Sequence, residues 1–152
     1  MPNKYLHVTV LVFGVVLLFL AFAPISRYYQ YYESIQNLGG ITYLLYIVPF
    51  FMVGSAVATL YKKLPNVGIW YASVGSIGLI LTVITVYIGD KTLEAFIEFN
   101  SNLTNITPQM GVGAITMLIS YFFTALVGYV LITSNKENKT SQDVPQEEKS
   151  EG

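Results

Sequence analysis

The chain of 152 residues has no cysteine and a single histidine, His7. The first absence excludes disulfides, thiolate catalysis, iron–sulfur clusters and Cys-ligated zinc. The second leaves no two-histidine haem site within one chain. Charge is scarce as well: Asp, Glu, Lys and Arg make up 11% of the residues, against about 25% in an ordinary soluble domain. Net charge is -1 and the few basic residues are scattered, so nucleic acid meets no electrostatic footprint. No internal repeat of about 20–50 residues is present.

What the chain has instead is apolar length. Hydrophobic residues make up 53% of it, and residues 5–26, 34–61, 64–89 and 99–135 carry no charge. Each run can hold the roughly 20 apolar residues that a helix needs to cross about 30 Å of hydrocarbon. In lipid every backbone amide must bond within its own segment, and no alternating pattern points to a barrel. The sequence therefore reads as an all-α integral membrane protein, a four-helix transmembrane bundle over residues 1–135.

The spans fall at about 5–23, 41–60, 67–88 and 110–132. Lys4 and Ala23-Pro24 bound the first, since proline ends helices. Gly39-Gly40 and Tyr61-Lys62-Lys63 bound the second, Pro65-Asn66 and Gly89-Asp90 the third, and Gly111 and Thr133-Ser134-Asn135 the fourth. Lys4, Lys62, Lys63, Lys136, Lys139 and Lys149 fall on one side and Arg27 and Lys91 on the other. The excess of Lys and Arg marks the cytoplasmic side, so both termini are expected in the cytoplasm and the protein in the cell membrane. Tyr5, Tyr61, Trp70 and Tyr129 form an inner aromatic belt; Tyr28, Tyr29, Tyr31, Tyr32, Tyr43 and Tyr87 form an outer one. Span one also ends in Ala21-Phe22-Ala23, a cleavage-like triplet, but its apolar run exceeds that of a signal peptide and Pro24 would follow the cut. It is read as retained.

Outside the lipid, the tyrosine-rich loop 24–40 reads as a collar at the headgroups. In loop 89–109, Asp90 is a candidate N-cap for a short amphipathic outer helix between spans three and four, with Leu93, Phe96 and Ile97 on one face. Glu94 and Glu98 lie opposite with no histidine or third acid in phase, so they read as a solvated face and not as a metal pair. Asn102 and Asn105 head two N-x-T sequons and are candidate glycosylation sites. Residues 136–152 hold one aliphatic residue and no aromatic, the composition of a disordered polar tail.

Inside the lipid there is no Asp, Glu, Lys or Arg, the usual markers of proton relays and ion paths. His7 reads as an interfacial hydrogen-bonding residue. Small and hydroxyl residues recur at four-residue spacing: Gly54 and Ala58; Gly68, Ala72 and Ser76, with Gly75 and Gly78 nearby; Thr116, Ser120, Thr124 and Gly128. Small residues let helices approach closely in lipid, so these are candidate packing seams; the hydroxyls of span four would alternatively line a narrow polar path. Pro49 removes one backbone hydrogen bond mid-span, and Thr42, Tyr46 or an adjacent helix is the expected substitute partner. No catalytic, cofactor-binding or metal-ligating residue is identified and no cofactor is expected. The expected partners are the lipid bilayer and other membrane subunits or a second copy. The expected role is non-enzymatic: an accessory subunit, assembly factor or scaffold, with a small channel or facilitator for a neutral solute as the alternative.

Overall fold

The computed structural model describes residues 3–20, 23–28, 31–62, 64–101 and 107–142. In chain order its elements are α1 (Asn3–Phe19), β1 (Ser26–Tyr28), β2 (Tyr31–Glu33), a one-turn α2 (Ile35–Leu38), a 3-10 turn (Gly40–Tyr43), α3 (Leu44–Tyr61), α4 (Val67–Ser101), β3 (Gln109–Met110) and α5 (Val112–Gln142). Three segments are long and apolar enough to cross a membrane: Gly40–Tyr61, Val67–Asn100 and Val112–Asn135.

The first predicted span is the exception. α1 has 17 residues, which at 1.5 Å per residue makes it about 25 Å long, short of about 30 Å of hydrocarbon. It ends at Phe19, and Pro24 keeps Ala23 out of the helical region ahead of β1.

A second departure lies at Gly89-Asp90. The sequence suggests a helix end there and a new amphipathic helix after it, but α4 runs unbroken from Val67 to Ser101. Asp90 is no N-cap; its carboxylate accepts the Ser26 hydroxyl. Gly89 admits that neighbour, since a Cβ on it would lie 2.9 Å from Ser26 Oγ. With no proline present, a nucleated helix propagates at little cost. Of the apolar face expected over 90–99, Leu93 and Ile97 are buried and Phe96 is exposed, on a rod about 52 Å long.

α5 likewise continues past its apolar stretch to Gln142, so the first part of the predicted tail is helical. Residues 143–152 lie outside the described residues.

The helices pack as α1 on α3, α3 on α4, α4 on α5 and α5 on α1. In α1, Gly14 faces Val53 and Met52 of α3, where a Cβ would come 2.8 Å from Val53 Cγ2. Phe13 stacks on Phe123 of α5 with centroids 5.9 Å apart. Ile77, Ile80, Val83, Phe122 and Leu126 point outward and are exposed. An apolar surface of this kind is disfavoured in water and suited to lipid.

One end of the helices carries a cap that the sequence does not announce. β1 pairs antiparallel with β2 and with β3, giving the order β2-β1-β3. The predicted tyrosine collar is thus in part a hairpin, with Arg27 opposite Tyr32 and Tyr28 opposite Tyr31. Tyr31 meets Phe96 of α4 edge on, centroids 5.8 Å apart. The backbone N–H groups of Gly111 and Gly113 donate to the carbonyls of Ile25 (2.6 Å) and Pro24 (2.8 Å), which ties the start of α5 to the hairpin. Gly39 and Gly40 both take positive φ, 64° and 58°, a conformation that glycine adopts without steric cost.

Candidate functional site

Among the described residues no group of three His, Asp or Glu side chains could hold a metal, and one ion pair is present, the exposed Lys91–Glu94 contact at 2.8 Å. The features that remain are the α4–α5 seam, the buried hydroxyls and two buried aromatic side chains with polar tips.

The seam is built from absent side chains. A Cβ on Gly68 would lie 3.0 Å from the Gly128 carbonyl. One on Gly128 would overlap the backbone of Ala72, one on Gly75 the backbone of Ala125, and one on Gly78 the ring of Tyr121. Gly68, Ala72 and Gly128 therefore meet at one contact. Ala58 is half-buried on α3. Gly54 and Ser76 take no part in the contacts between helices of this chain: Gly54 is exposed with nothing within 4 Å of a built Cβ, and Ser76 is exposed.

The reason is angular. Four residues turn a helix by about 400°, so a four-step stripe drifts about 40° per step and leaves the contact. The buried positions of α5 are Gly113, Ala114, Met117, Ser120, Tyr121, Thr124, Val127, Gly128 and Leu131, a band whose line Ala114, Met117, Tyr121, Thr124, Gly128, Leu131 alternates steps of three and four. On α4 Gly68, Ala72, Gly75 and Gly78 meet α5, and the buried Thr82, Thr85 and Gly89 continue the same spacing, with Gly89 against Ser26 of β1. Both average about 3.5 residues, the period of left-handed helix pairs that wind around one another. Thr116 falls off this line and is half-buried; Ser120 lies beside it and is buried.

The hydroxyls are engaged within their own helices. Thr116 Oγ1 donates to the Val112 carbonyl at 2.8 Å, Thr124 Oγ1 to Ser120 at 2.8 Å and Thr82 Oγ1 to Gly78 at 2.7 Å. Back-bonding to the carbonyl four residues earlier satisfies a hydroxyl without a partner helix. Thr42, expected to serve the carbonyl freed by Pro49, donates to Gly39 at 2.6 Å.

Two buried aromatic residues that sequence inspection passes over carry polar tips into the core. Tyr71 is buried, and its hydroxyl lies 3.0 Å from His7 Nδ1. Tyr121 is 0% exposed and its hydroxyl has no hydrogen-bond partner. The heptad phase of α5 marks Tyr121; no sequence signal marks Tyr71, because an apolar span full of aromatics hides one ring among many. An unsatisfied buried hydroxyl costs roughly 1–3 kcal/mol. Tyr121→Phe keeps the ring against Gly78 and removes that cost, so we expect it to raise the unfolding free energy by about 1 kcal/mol in a detergent denaturation series; a loss of stability would show that the phenol has a partner.

Asn102 and Asn105 lie outside the described residues. Comparison of the chain with family models, characterised proteins and solved structures finds no match.

Proposed function

We propose that the chain is a non-enzymatic four-helix membrane protein of the cell membrane, an accessory subunit, assembly factor or scaffold, with both termini in the cytoplasm. The observation that carries the reading is the state of the seam. Glycine and alanine backbones fill it, and the threonine hydroxyls on it bond to their own helices. A polar path would need hydroxyls free to replace a solute's hydration; these are bonded to the carbonyls of their own helices. Packing of α1 against α3 and α5 supports its retention as the fourth helix. The lysine excess at the end that bears Lys4 and Lys62 supports the orientation, and a reporter fused after Ser134 should be active only in the cytoplasm; activity outside would reverse it.

The path alternative is separated by Ser120→Ala and Thr124→Val. Thr124 bonds to its own helix and a hydrogen bond contributes about 1 kcal/mol net, so each variant should fold with a loss of at most that order. Reconstituted into liposomes, neither should change solute leakage relative to the parent chain. Folded variants that lose a flux present in the parent would establish a conduit.

A further inference from the structure

We propose that the outward face of α4 pairs with the same face of a second copy of this chain, so that two bundles meet through parallel α4 helices. Ile69, Ser73, Ser76, Ile80, Val83 and Tyr87 are all exposed, and the steps between them alternate between four and three residues. That is the spacing of a line along which two helices wind around one another. Ile69, Ser73 and Ser76 each follow a seam residue by one position, so this line lies about 100° around the rod from the contact with α5.

The two serines mark the face. On residues 5–19 of α1 and 112–130 of α5 every exposed position holds a large apolar or aromatic side chain. Ser73 and Ser76 present hydroxyls instead, about 9 and 14 Å along α4 from Val67, within a hydrocarbon layer of about 30 Å. Ser55, Thr59, Thr82, Thr116 and Thr124 donate to carbonyls of their own helices. Ser73 and Ser76 make no hydrogen bond within the chain. A hydroxyl without a partner in hydrocarbon is costly.

A second copy supplies what lipid does not. A serine hydroxyl both donates and accepts, so each serine can bond to its own counterpart, and its small size lets the two backbones approach. Copies inserted in the same orientation set their α4 helices parallel. A twofold axis along the membrane normal then brings each residue of the line opposite itself at one depth. No charge lies between Ile69 and Tyr87 to oppose this. Past Tyr87 the rod turns charged, with Lys91 paired to Glu94 and Glu98 exposed, so the contact ends there. The outer faces of α1, α3 and α5 remain for a different subunit, and the role proposed above stands or falls separately.

The absence of cysteine makes single-cysteine crosslinking of the full chain a direct test. Ile69→Cys, Ile80→Cys and Val83→Cys keep both serines and should give a disulfide-linked dimer when isolated membranes are oxidised. Val12→Cys on α1 and Phe122→Cys on α5, at similarly exposed positions, report random collision and should crosslink far more slowly. Ser73→Leu with Ser76→Leu holds the backbones apart at two exposed positions and should lower the Ile80→Cys rate to the collision level. Ser73→Ala with Ser76→Ala keeps the surface small and should lower it by about threefold for each hydroxyl bond lost. Equal rates on and off the line, rates unmoved by the leucine or the alanine pair, or a chain that stays monomeric because lipid or another protein covers the face, overturn the proposal.

Discussion

Gly128→Leu is expected to abolish the folded protein. The Cβ alone would overlap the backbone of Ala72, and neither helix backbone can move aside without opening the rest of the seam. Overpacking in a close-packed core costs typically about 1–3 kcal/mol, and here a whole isobutyl group is added where backbones touch. In lipid no hydrophobic force between helices compensates; close contact is itself the attraction. The matched comparison is Gly54→Leu, also a glycine in an apolar helix but with nothing within 4 Å of its built Cβ. It should be neutral, or stabilising by up to about 1 kcal/mol because it removes a glycine from a helix interior. Detergent-resistant folding of both variants, followed by helical circular dichroism on heating, reads the difference. Equal behaviour would mean that the α4–α5 seam does not hold the protein together.

The second large effect is expected at the opposite kind of position, where a helix begins. Gly111→Val places its Cβ inside the Pro24 carbonyl. To relieve this the chain must pull α5 from the hairpin and break the bonds that Gly111 and Gly113 donate to Ile25 and Pro24. Two backbone bonds at about 1 kcal/mol each, with overpacking of similar size, come to roughly 3 kcal/mol. That loss is local. The cap should become protease-sensitive between β1 and β3 while the helices keep their thermal transition. Protease resistance equal to that of the parent chain would show that the cap tolerates a side chain there.

The contrast between these two sites shows what the sequence made legible. Long charge-free runs reveal spanning helices because lipid leaves the backbone few options, and Lys62-Lys63 with Pro65-Asn66 marks the turn before α4. The hairpin was illegible for a physical reason: strands of three residues are too short to show a period, and their pairing depends on Gly111 and Asp90 far along the chain. Gly89-Asp90 looked like a helix end because glycine and aspartate are common at ends, yet here the glycine makes room for Ser26. Small-residue spacing told which residues share a face and nothing about whether that face meets a helix or lipid. Gly54 and Ser76 therefore read like Gly68 and Ala72, and only the averaged 3.5-residue phase separates them.

The proposed role requires that this seam pack helices and conduct nothing, and that the chain act through partners. Purification of the intact protein from its native membrane in mild detergent, with quantitative mass spectrometry of what elutes, tests it most directly. The account predicts a stoichiometric second membrane protein that remains bound through size exclusion, and no solute flux when the purified chain alone is placed in liposomes. A homo-oligomer with no second protein, and a liposome flux that disappears in Ser120→Ala and Thr124→Val, would contradict it.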